Sequence, residues 1–241
     1  MIKKNLICLL LLIITVSAIS GNNVFTAKGT KTLLNNQEFQ CIGLRCSNAL
    51  ISDETTENLI QHLDIYKSYG INTVSVFFQG SRFGDVKGYN ADGSLNPEYA
   101  GRMAKIIEAC DERGMVVLVG CLYWGTSKGK WEHWTQKEAN TAIANTVKWL
   151  SGNNYRNVFV DPDNEGMAHR TKGFDIEQMI AAGKKVDETI VIGYNNHGYP
   201  PTNADLALHF AKKPTYMPYI ESEGTMPQYW GAYSKEEGVY N

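Results

Sequence analysis

The chain has 241 residues, with 23 basic and 25 acidic side chains and a formal net charge of −2. This length is enough for one domain with a sizeable hydrophobic core. The mildly acidic balance, without any basic run, argues against nucleic acid as a partner. A neutral ligand is compatible with this charge, although charge alone does not select one.

The first twenty residues have the pattern of a secretory signal peptide. Lys3 and Lys4 supply positive charge, residues 6–16 form an apolar run too short for a comfortable membrane span, and residues 18–20 offer small side chains for cleavage. An uncleaved N-terminal anchor is the alternative. We therefore expect residues 1–20 to be removed and residues 21–241 to form one domain in the periplasm or outside the cell. Its charge would be −4, from 23 − 2 = 21 basic and 25 acidic residues.

This domain would keep four cysteines, Cys41, Cys46, Cys110 and Cys121. An oxidising compartment permits disulfides. However, Cys41 and Cys121 lie in apolar runs typical of buried strands, where free thiols are common. Disulfides therefore stay an open alternative, and no cysteine spacing indicates zinc.

Strand-like and helix-like segments alternate along the chain after an opening hairpin over 24–39, in which Asn35-Asn36 is the predicted turn. The predicted helices cover 53–70, 97–114, 137–150 and 175–186. The predicted strands cover 41–44, 71–78, 115–119, 158–160, 189–194, 204–210 and 216–222.

This alternation predicts a parallel sheet of the α/β class, and seven strands favour a (β/α)8 TIM barrel with an N-terminal β-hairpin. A doubly wound open sheet is the alternative, which the lack of a Gly-rich loop after the first strand disfavours. No eighth strand and helix precede Asn241. Because an open barrel leaves two edge strands unpaired, we expect the chain to be the front part of a longer barrel, incomplete at its C-terminus.

Two of the predicted strands end in acidic residues. The strand at 158–160 runs into Asp161-Pro162-Asp163-Asn164-Glu165, and the strand at 216–222 runs into Glu223-Gly224. The carboxyl ends of barrel strands face one pocket, so Glu165 and Glu223 could converge there. Two convergent carboxyls can cleave a glycosidic bond, one as proton donor and the other as nucleophile or base.

Other acids leave two alternatives open. Glu221 shares the strand face of Glu223 and could be the nucleophile instead. Asp161, Asp163 and Glu165 share parity along a regular strand, so a divalent-metal site is a rival. No further ligand supports that rival, and we expect neither a metal nor a cofactor.

With these motifs, the chain from about Phe25 to Tyr233 resembles the glycoside hydrolases of clan A, especially the cellulase-like and mannanase-like family 5 barrels. The opening residues 27–39 are similar to the hairpin that closes the barrel bottom in that clan. The resemblance implies that Asn164-Glu165 is the fourth-strand pair with Glu165 as acid/base, that Glu223 is the nucleophile, and that Asn164 and His209 bind the substrate.

The chain departs from that family at three strand ends. The second strand lacks the usual arginine, the third ends in Leu122-Tyr123-Trp124 without a histidine, and Phe210 follows His209 where a tyrosine is expected next to the nucleophile. Arg45, on the first strand, could replace the arginine. These departures keep a non-catalytic carbohydrate-binding barrel as an alternative.

Aromatic residues follow two strands and offer flat faces for sugar rings. Tyr123, Trp124, Trp131 and Trp134 follow the third strand, and Trp230 follows the seventh; loop packing is an equal alternative for each. Trp124, directly at a strand end, is the preferred platform. The sequence thus predicts a secreted, monomeric, endo-acting retaining hydrolase of β-glycans, with a carbohydrate as its partner and its sugar specificity undefined.

Overall fold

The chain folds into a parallel sheet covered by helices in the computed structural model, which describes residues 23–81, 84–124 and 131–222. The strands are β1 (Phe25–Lys28), β2 (Lys31–Leu34), β3 (Gln37–Glu38), β4 (Gly43–Arg45), β5 (Thr73–Phe77), β6 (Gln79–Ser81), β7 (Gly84–Lys87), β8 (Val116–Leu122), β9 (Val158–Asp163), β10 (Val191–Tyr194), β11 (Leu206–Leu208) and β12 (Tyr219–Ile220). The helices are α1 (Asp53–Ser68), α2 (Pro97–Asp111), α3 (Gln136–Gly152), α4 (Met167–Lys172) and α5 (Ile176–Lys184).

Seven parallel strands form the main sheet, in the order β4-β5-β8-β9-β10-β11-β12. Each strand of this sheet pairs with the strand of the same sheet that follows it along the chain, so the order never reverses as it does in a doubly wound sheet. All seven residues of β8 are buried, as expected for a strand covered on both faces. The predicted incomplete (β/α)8 barrel is therefore confirmed.

Two hydrophobic clusters occupy the two faces of this sheet. Val158 and Val160 pack in the cluster beneath the helices, whereas Phe159 lies in the cluster inside the barrel with Phe25 and Leu208. This alternation determines the direction of the strand-end side chains, because a residue two positions beyond Phe159 faces the interior again.

The helices begin at side-chain caps. Ser52 caps α1, and Thr55 completes the capping box from the third helical position. Thr135 and Glu138 form the same device at the start of α3. These caps fix the points at which the chain leaves the barrel mouth and turns back along the sheet.

The N-terminal segment is a three-stranded meander rather than one hairpin. The turn between β1 and β2 contains Gly29, and Asn35-Asn36 instead joins β2 to β3, with φ of 53° and 63°. Phe25 of β1 stacks on Phe159 with ring centroids 5.1 Å apart. The meander thus closes the lower end of the barrel, as the resemblance implied.

Several elements differ from the predicted ones. The antiparallel β6–β7 ribbon and the short helix α4 were not predicted, and β11 and β12 are shorter than the expected strands. The chain passes from β10 to β11 without a helix, as the short spacing indicated. The β6–β7 ribbon and α4 follow the carboxyl ends of β5 and β9, where loops carry the variable structure.

The four cysteines of the described chain, Cys41, Cys46, Cys110 and Cys121, are free thiols, which answers the open question of disulfides. Burial raises the pKa of Cys41 and Cys46 to about 11. No helix in the described ranges is long and apolar enough to cross a membrane. The predicted signal peptide at 1–20 lies outside the described residues and stays a prediction.

Candidate active site

Glu165 lies on a tight turn directly after β9. Asn164–Gly166 form a 3-10 turn, and Glu165 has the left-handed backbone conformation φ 53°, ψ 22°. A non-glycine residue in this region is uncommon and strained, and such strain concentrates at functional sites. Its side chain is 19% exposed, so the carboxylate reaches solvent at the barrel mouth.

Asp163 holds this turn in place through two hydrogen bonds. The Asp163 carboxylate accepts hydrogen bonds from the backbone N–H groups of Ala168 and His169, each at 2.8 Å. Asp163 thereby ties the end of β9 to the first turn of α4. Burial raises the pKa of Asp163 to about 7, against the opposing effect of these two bonds.

Gly166 is required for close packing next to Glu165. Its φ is +61°, and a Cβ atom built there would lie 2.2 Å from Oδ1 of Asn196. The side chain of Arg170 also donates to the backbone carbonyl of Glu165. The turn is therefore fixed on both sides, from the end of β10 and from α4.

His209 faces Glu165 across the mouth. Its Nε2 lies 3.9 Å from Oε1 of Glu165, and its side chain is only 6% exposed. The other ring nitrogen, Nδ1, lies 2.9 Å from Oγ of Ser222. The structure thus brings together two of the predicted residues, and Ser222 holds the orientation of the imidazole.

Arg45 reaches the site from β4. It donates from Nη2 to Oδ1 of Asn164 at 3.1 Å and from Nε to Oγ of Ser47 at 3.0 Å. Its guanidinium lies over the rings of Phe77 and Tyr123, 4.6 Å and 5.2 Å from their centroids. A planar, delocalised cation suits such a stacked position. The predicted replacement arginine is thus in contact with Asn164.

Asp161 forms the floor below these groups. Its Oδ2 accepts a hydrogen bond from Nδ2 of Asn195 at 2.7 Å, and the residue is 1% exposed. Burial raises the pKa of Asp161 to about 6, while the bond from Asn195 and the nearby His209 and Arg45 act in the opposite direction.

Three buried polar atoms in the described strand ends have no hydrogen-bond partner: Nε2 of Gln79, Oδ1 of Asp161 and Nδ2 of Asn164. Unpartnered buried polar groups are rare in proteins and call for an explanation. Two donors and one acceptor at the same mouth provide bonding capacity for a hydroxyl-rich ligand. Gln79 and Asn195 were not predicted, although each follows an apolar strand directly, and that position was the available signal.

Glu221, the alternative nucleophile, directly follows β12, in which Ile220 packs against the interior cluster and Tyr219 against the small outer cluster. Its Oε2 accepts a hydrogen bond from the hydroxyl of Tyr219 at 3.0 Å, and the residue is exposed. The predicted nucleophile Glu223 lies outside the described residues, as does Trp230.

Trp124 is not an exposed platform in this structure. It is 2% exposed and packs beside Phe174 with centroids 5.4 Å apart, and with Trp131 and Trp134 at 6.4 Å and 6.0 Å. By alternation from the inward Tyr123, its side chain lies on the helix side of the sheet. The preference for Trp124 as a stacking surface was therefore wrong, and packing is its role.

The three acids of the metal hypothesis are directed to different partners. Asp161 bonds Asn195, Asp163 bonds the start of α4, and Glu165 faces His209. Over the ranges that the structure describes, no group of three acidic, histidine or cysteine side chains is placed to hold a metal ion.

No protein-family model matches the sequence, and no curated protein matches it significantly. Solved structures do share the fold. A possible glycoside hydrolase from Bacteroides vulgatus superposes with a TM-score of 0.60 at 13% identity over 82% of this chain and 44% of that one. A glycoside hydrolase of family 5 from the same organism gives 0.55 at 16% identity, over 78% and 45%. A β-1,4-D-mannanase from Cryptopygus antarcticus gives 0.52 at 14% identity, over 71% and 60%.

These likenesses define a fold class: the chain has the fold of the glycoside hydrolase family 5 barrels. It spans less than half the length of the two Bacteroides proteins. At identities below 20%, the superposition carries the architecture, and the chemistry has to be argued from the residues at the mouth.

Proposed function

We propose that this protein is a glycoside hydrolase that cleaves β-linked glucan or mannan by a retaining mechanism with two glutamates. The observation that carries the proposal is the strained Glu165 turn at the barrel mouth, with the carboxylate facing His209 and the preceding Asn164 held by Arg45. The mannanase name among the solved structures of the same fold supports the substrate class.

In this mechanism Glu165 gives its proton to the glycosidic oxygen as the bond to the anomeric carbon breaks. Glu223 attacks that carbon and forms a glycosyl-enzyme ester, and the leaving sugar departs as an alcohol. Glu165 then removes a proton from water, which displaces Glu223 and restores both carboxyls. Each carboxyl ends the cycle as it began.

The neighbours of Glu165 have supporting tasks. The unpartnered Nδ2 of Asn164 can donate to a sugar hydroxyl, while Arg45 fixes the amide by occupying its oxygen. Hydrogen bonds to the 2-hydroxyl of the sugar strengthen in the transition state of glycoside hydrolysis. His209, held by Ser222, places its Nε2 3.9 Å from Oε1 of Glu165 and so shapes the surroundings of that carboxyl.

We also propose that the protein is secreted as a monomer and acts within the polymer rather than at its ends. The charged and apolar pattern of residues 1–16 supports export. N-terminal sequencing of protein collected from the medium or periplasm tests this proposal. The expected first residue is Gly21, and a chain that keeps Met1 on a membrane would overturn it.

The test of the activity is release of reducing ends from β-mannan and β-glucan by wild type and by Glu165→Gln, Glu223→Gln and Glu221→Gln. We expect loss of at least about a thousandfold for the first two and near wild-type rates for Glu221→Gln. NMR of the first product should show the anomeric configuration of the substrate. Oligosaccharide binding without any reducing-end release would favour the binding-only barrel, and loss of activity on chelation would favour metal chemistry.

A further inference from the structure

A second concave site lies beside the Glu165 turn. It is a cavity of about 280 Å³ between α4, the start of α5 and the connection from β10 to β11. Asn196 lines it and also packs against Gly166, so the cavity borders the turn that presents Glu165. The lining includes His169, Asp175, Glu177, Tyr194, Asn196 and Tyr199.

Tyr199 offers an aromatic surface at this cavity. Its side chain is among the exposed large hydrophobic groups, at 65%. The backbone around it is held, because Pro200 and Pro201 follow directly and the hydroxyl of Tyr216 donates to the carbonyl of Pro200 at 3.3 Å. An exposed ring on a restrained loop loses little entropy when it binds a ligand.

The polar lining is acidic and rich in acceptors. Asp175 and Glu177 bring two carboxylates, and none of the described residues that line the cavity is a lysine or an arginine. Asp175 also caps α5 by accepting from the N–H and side chain of Gln178, at 3.2 Å and 2.9 Å, so its position is fixed. Carboxylates accept hydrogen bonds from hydroxyl groups and repel other anions.

We propose that this cavity is a subsite for an uncharged sugar unit of the polymer, next to the unit at Glu165. The ring of Tyr199 packs against one face of the pyranose, and Asp175 and Glu177 accept bonds from its hydroxyls. This inference rests on the proposed carbohydrate substrate. It adds a specificity: the pair of carboxylates excludes sugars that carry a carboxylate at this position.

Calorimetric binding of mannotetraose and cellotetraose tests the subsite without turnover, in the full chain carrying Glu165→Gln. We expect Tyr199→Ala to weaken binding of the preferred tetrasaccharide about fivefold and Tyr199→Phe to preserve it, because the ring face is kept. Glu177→Gln should raise the affinity for a tetrasaccharide containing glucuronic acid.

The matched controls lie at the opposite end of the barrel. Tyr69→Ala removes a tyrosine that is 82% exposed at the end of α1, and Glu188→Gln removes an exposed glutamate before β10. Both should leave affinity unchanged. Equal affinities of the Tyr199→Ala and Tyr69→Ala variants would overturn the subsite. If neither mannotetraose nor cellotetraose binds, the subsite is overturned as well.

Failure of the subsite and failure of the proposed hydrolysis give different results. A wild type that releases no reducing ends but binds tetrasaccharide through Tyr199 disproves hydrolysis and keeps the subsite. A wild type that hydrolyses the polymer with no effect of Tyr199→Ala disproves the subsite alone. If Glu165→Gln does not fold, a thio-linked tetrasaccharide that resists cleavage gives the same measurement on the wild type.

Discussion

The carboxylate of Glu165 and the imidazole of His209 lie 3.9 Å apart, Oε1 to Nε2, although they follow strands that are not neighbours. Glu165 follows β9, His209 follows β11, and β10 runs between them. Adjacent strands are about 4.8 Å apart, so in a flat sheet these two positions would be about 10 Å apart. The two side chains meet because the sheet curls and its strand ends converge over Asn195.

Gly166, in the turn that presents Glu165, is open to a direct test of strain. Gly166→Ala should lower the free energy of unfolding by about 2–4 kcal/mol, because the new Cβ would overlap Asn196 in addition to the cost of a left-handed alanine. Urea unfolding followed by circular dichroism measures it. Gly173→Ala is the control: its φ is +74° but nothing lies within 4 Å of its Cβ, so only about 1 kcal/mol should be lost. Equal losses would contradict the close packing described here.

The buried aspartates predict a fall in stability as pH rises. Burial raises the pKa of Asp161 from 3.8 to about 6 and that of Asp163 to about 7. The folded chain therefore holds these protons more tightly than the unfolded chain does. The stability that this tighter proton binding adds is fully present below the ordinary pKa of 3.8, and it is lost as pH rises through about 6 and 7.

Asp161→Asn removes one of these carboxyls and keeps an oxygen for the bond from Asn195. At pH 8 it should be more stable than wild type by up to about 3 kcal/mol, with a flatter pH profile of urea midpoints. Asp187→Asn is the control of opposite sign. Burial raises the pKa of Asp187, but bonds from Ser151 and Thr189 and the charge of Arg156 outweigh it, so the net pKa is lowered. Asp187→Asn should destabilise the fold near neutral pH, and this loss of stability should disappear at low pH. Parallel plots of stability against pH for the two variants would refute the opposite pKa shifts of Asp161 and Asp187.

Arg45 should not be replaceable by lysine. A lysine keeps the positive charge but cannot bond Asn164 and Ser47 at once while stacking on Phe77. We expect Arg45→Lys to lower kcat/KM for the polymer about a hundredfold with a small change in thermal midpoint. Arg113→Lys, at the exposed pair with Asp64, is the control and should leave kcat/KM unchanged. Full activity of Arg45→Lys would show that charge alone suffices.

Because Trp124 packs in the core, we expect its replacement to change the stability of the fold and not the affinity for oligosaccharides. Trp124→Phe should lower the free energy of unfolding by about 1–3 kcal/mol, because it opens space among Trp131, Trp134 and Phe174. Trp149→Phe, in the contact with Phe78, should have a similar cost. Neither change should weaken oligosaccharide affinity measured by calorimetry. A selective loss of affinity in Trp124→Phe would restore the stacking role.

The order of strands and helices was predictable because each segment carries its own period of apolar residues. The strand at Val116–Val119 and the helix α3 were predicted correctly from their own apolar patterns, without knowledge of their neighbours. The β6–β7 ribbon was not predictable in this way, because its pairing depends on contacts across a bend. The limits of β11 and β12 also depend on pairing with β10 and with each other, which sequence patterns do not record.

The site was predictable where a residue type has few other uses. Glu165 was predicted from its position at a strand end and His209 from the family resemblance, and the structure brings the two side chains together. Trp124 was misjudged because alternation decides which face a strand-end side chain occupies, and a shift of one residue reverses it. Gln79 and Asn195 were missed because an amide at a strand end resembles an ordinary turn residue until the unpartnered Nε2 of Gln79 and the bond from Asn195 to Asp161 are seen.

The meander that carries Phe25 has a consequence for how a polymer can approach this protein. The stack of Phe25 on Phe159 seals the axis of the barrel from below, and the interior above it is filled by Phe77, Leu118 and Leu208. A glycan strand therefore cannot thread along the axis. Under the proposed function, the glycan would instead bind across the rim of the barrel, where the strand ends carry Glu165 and His209.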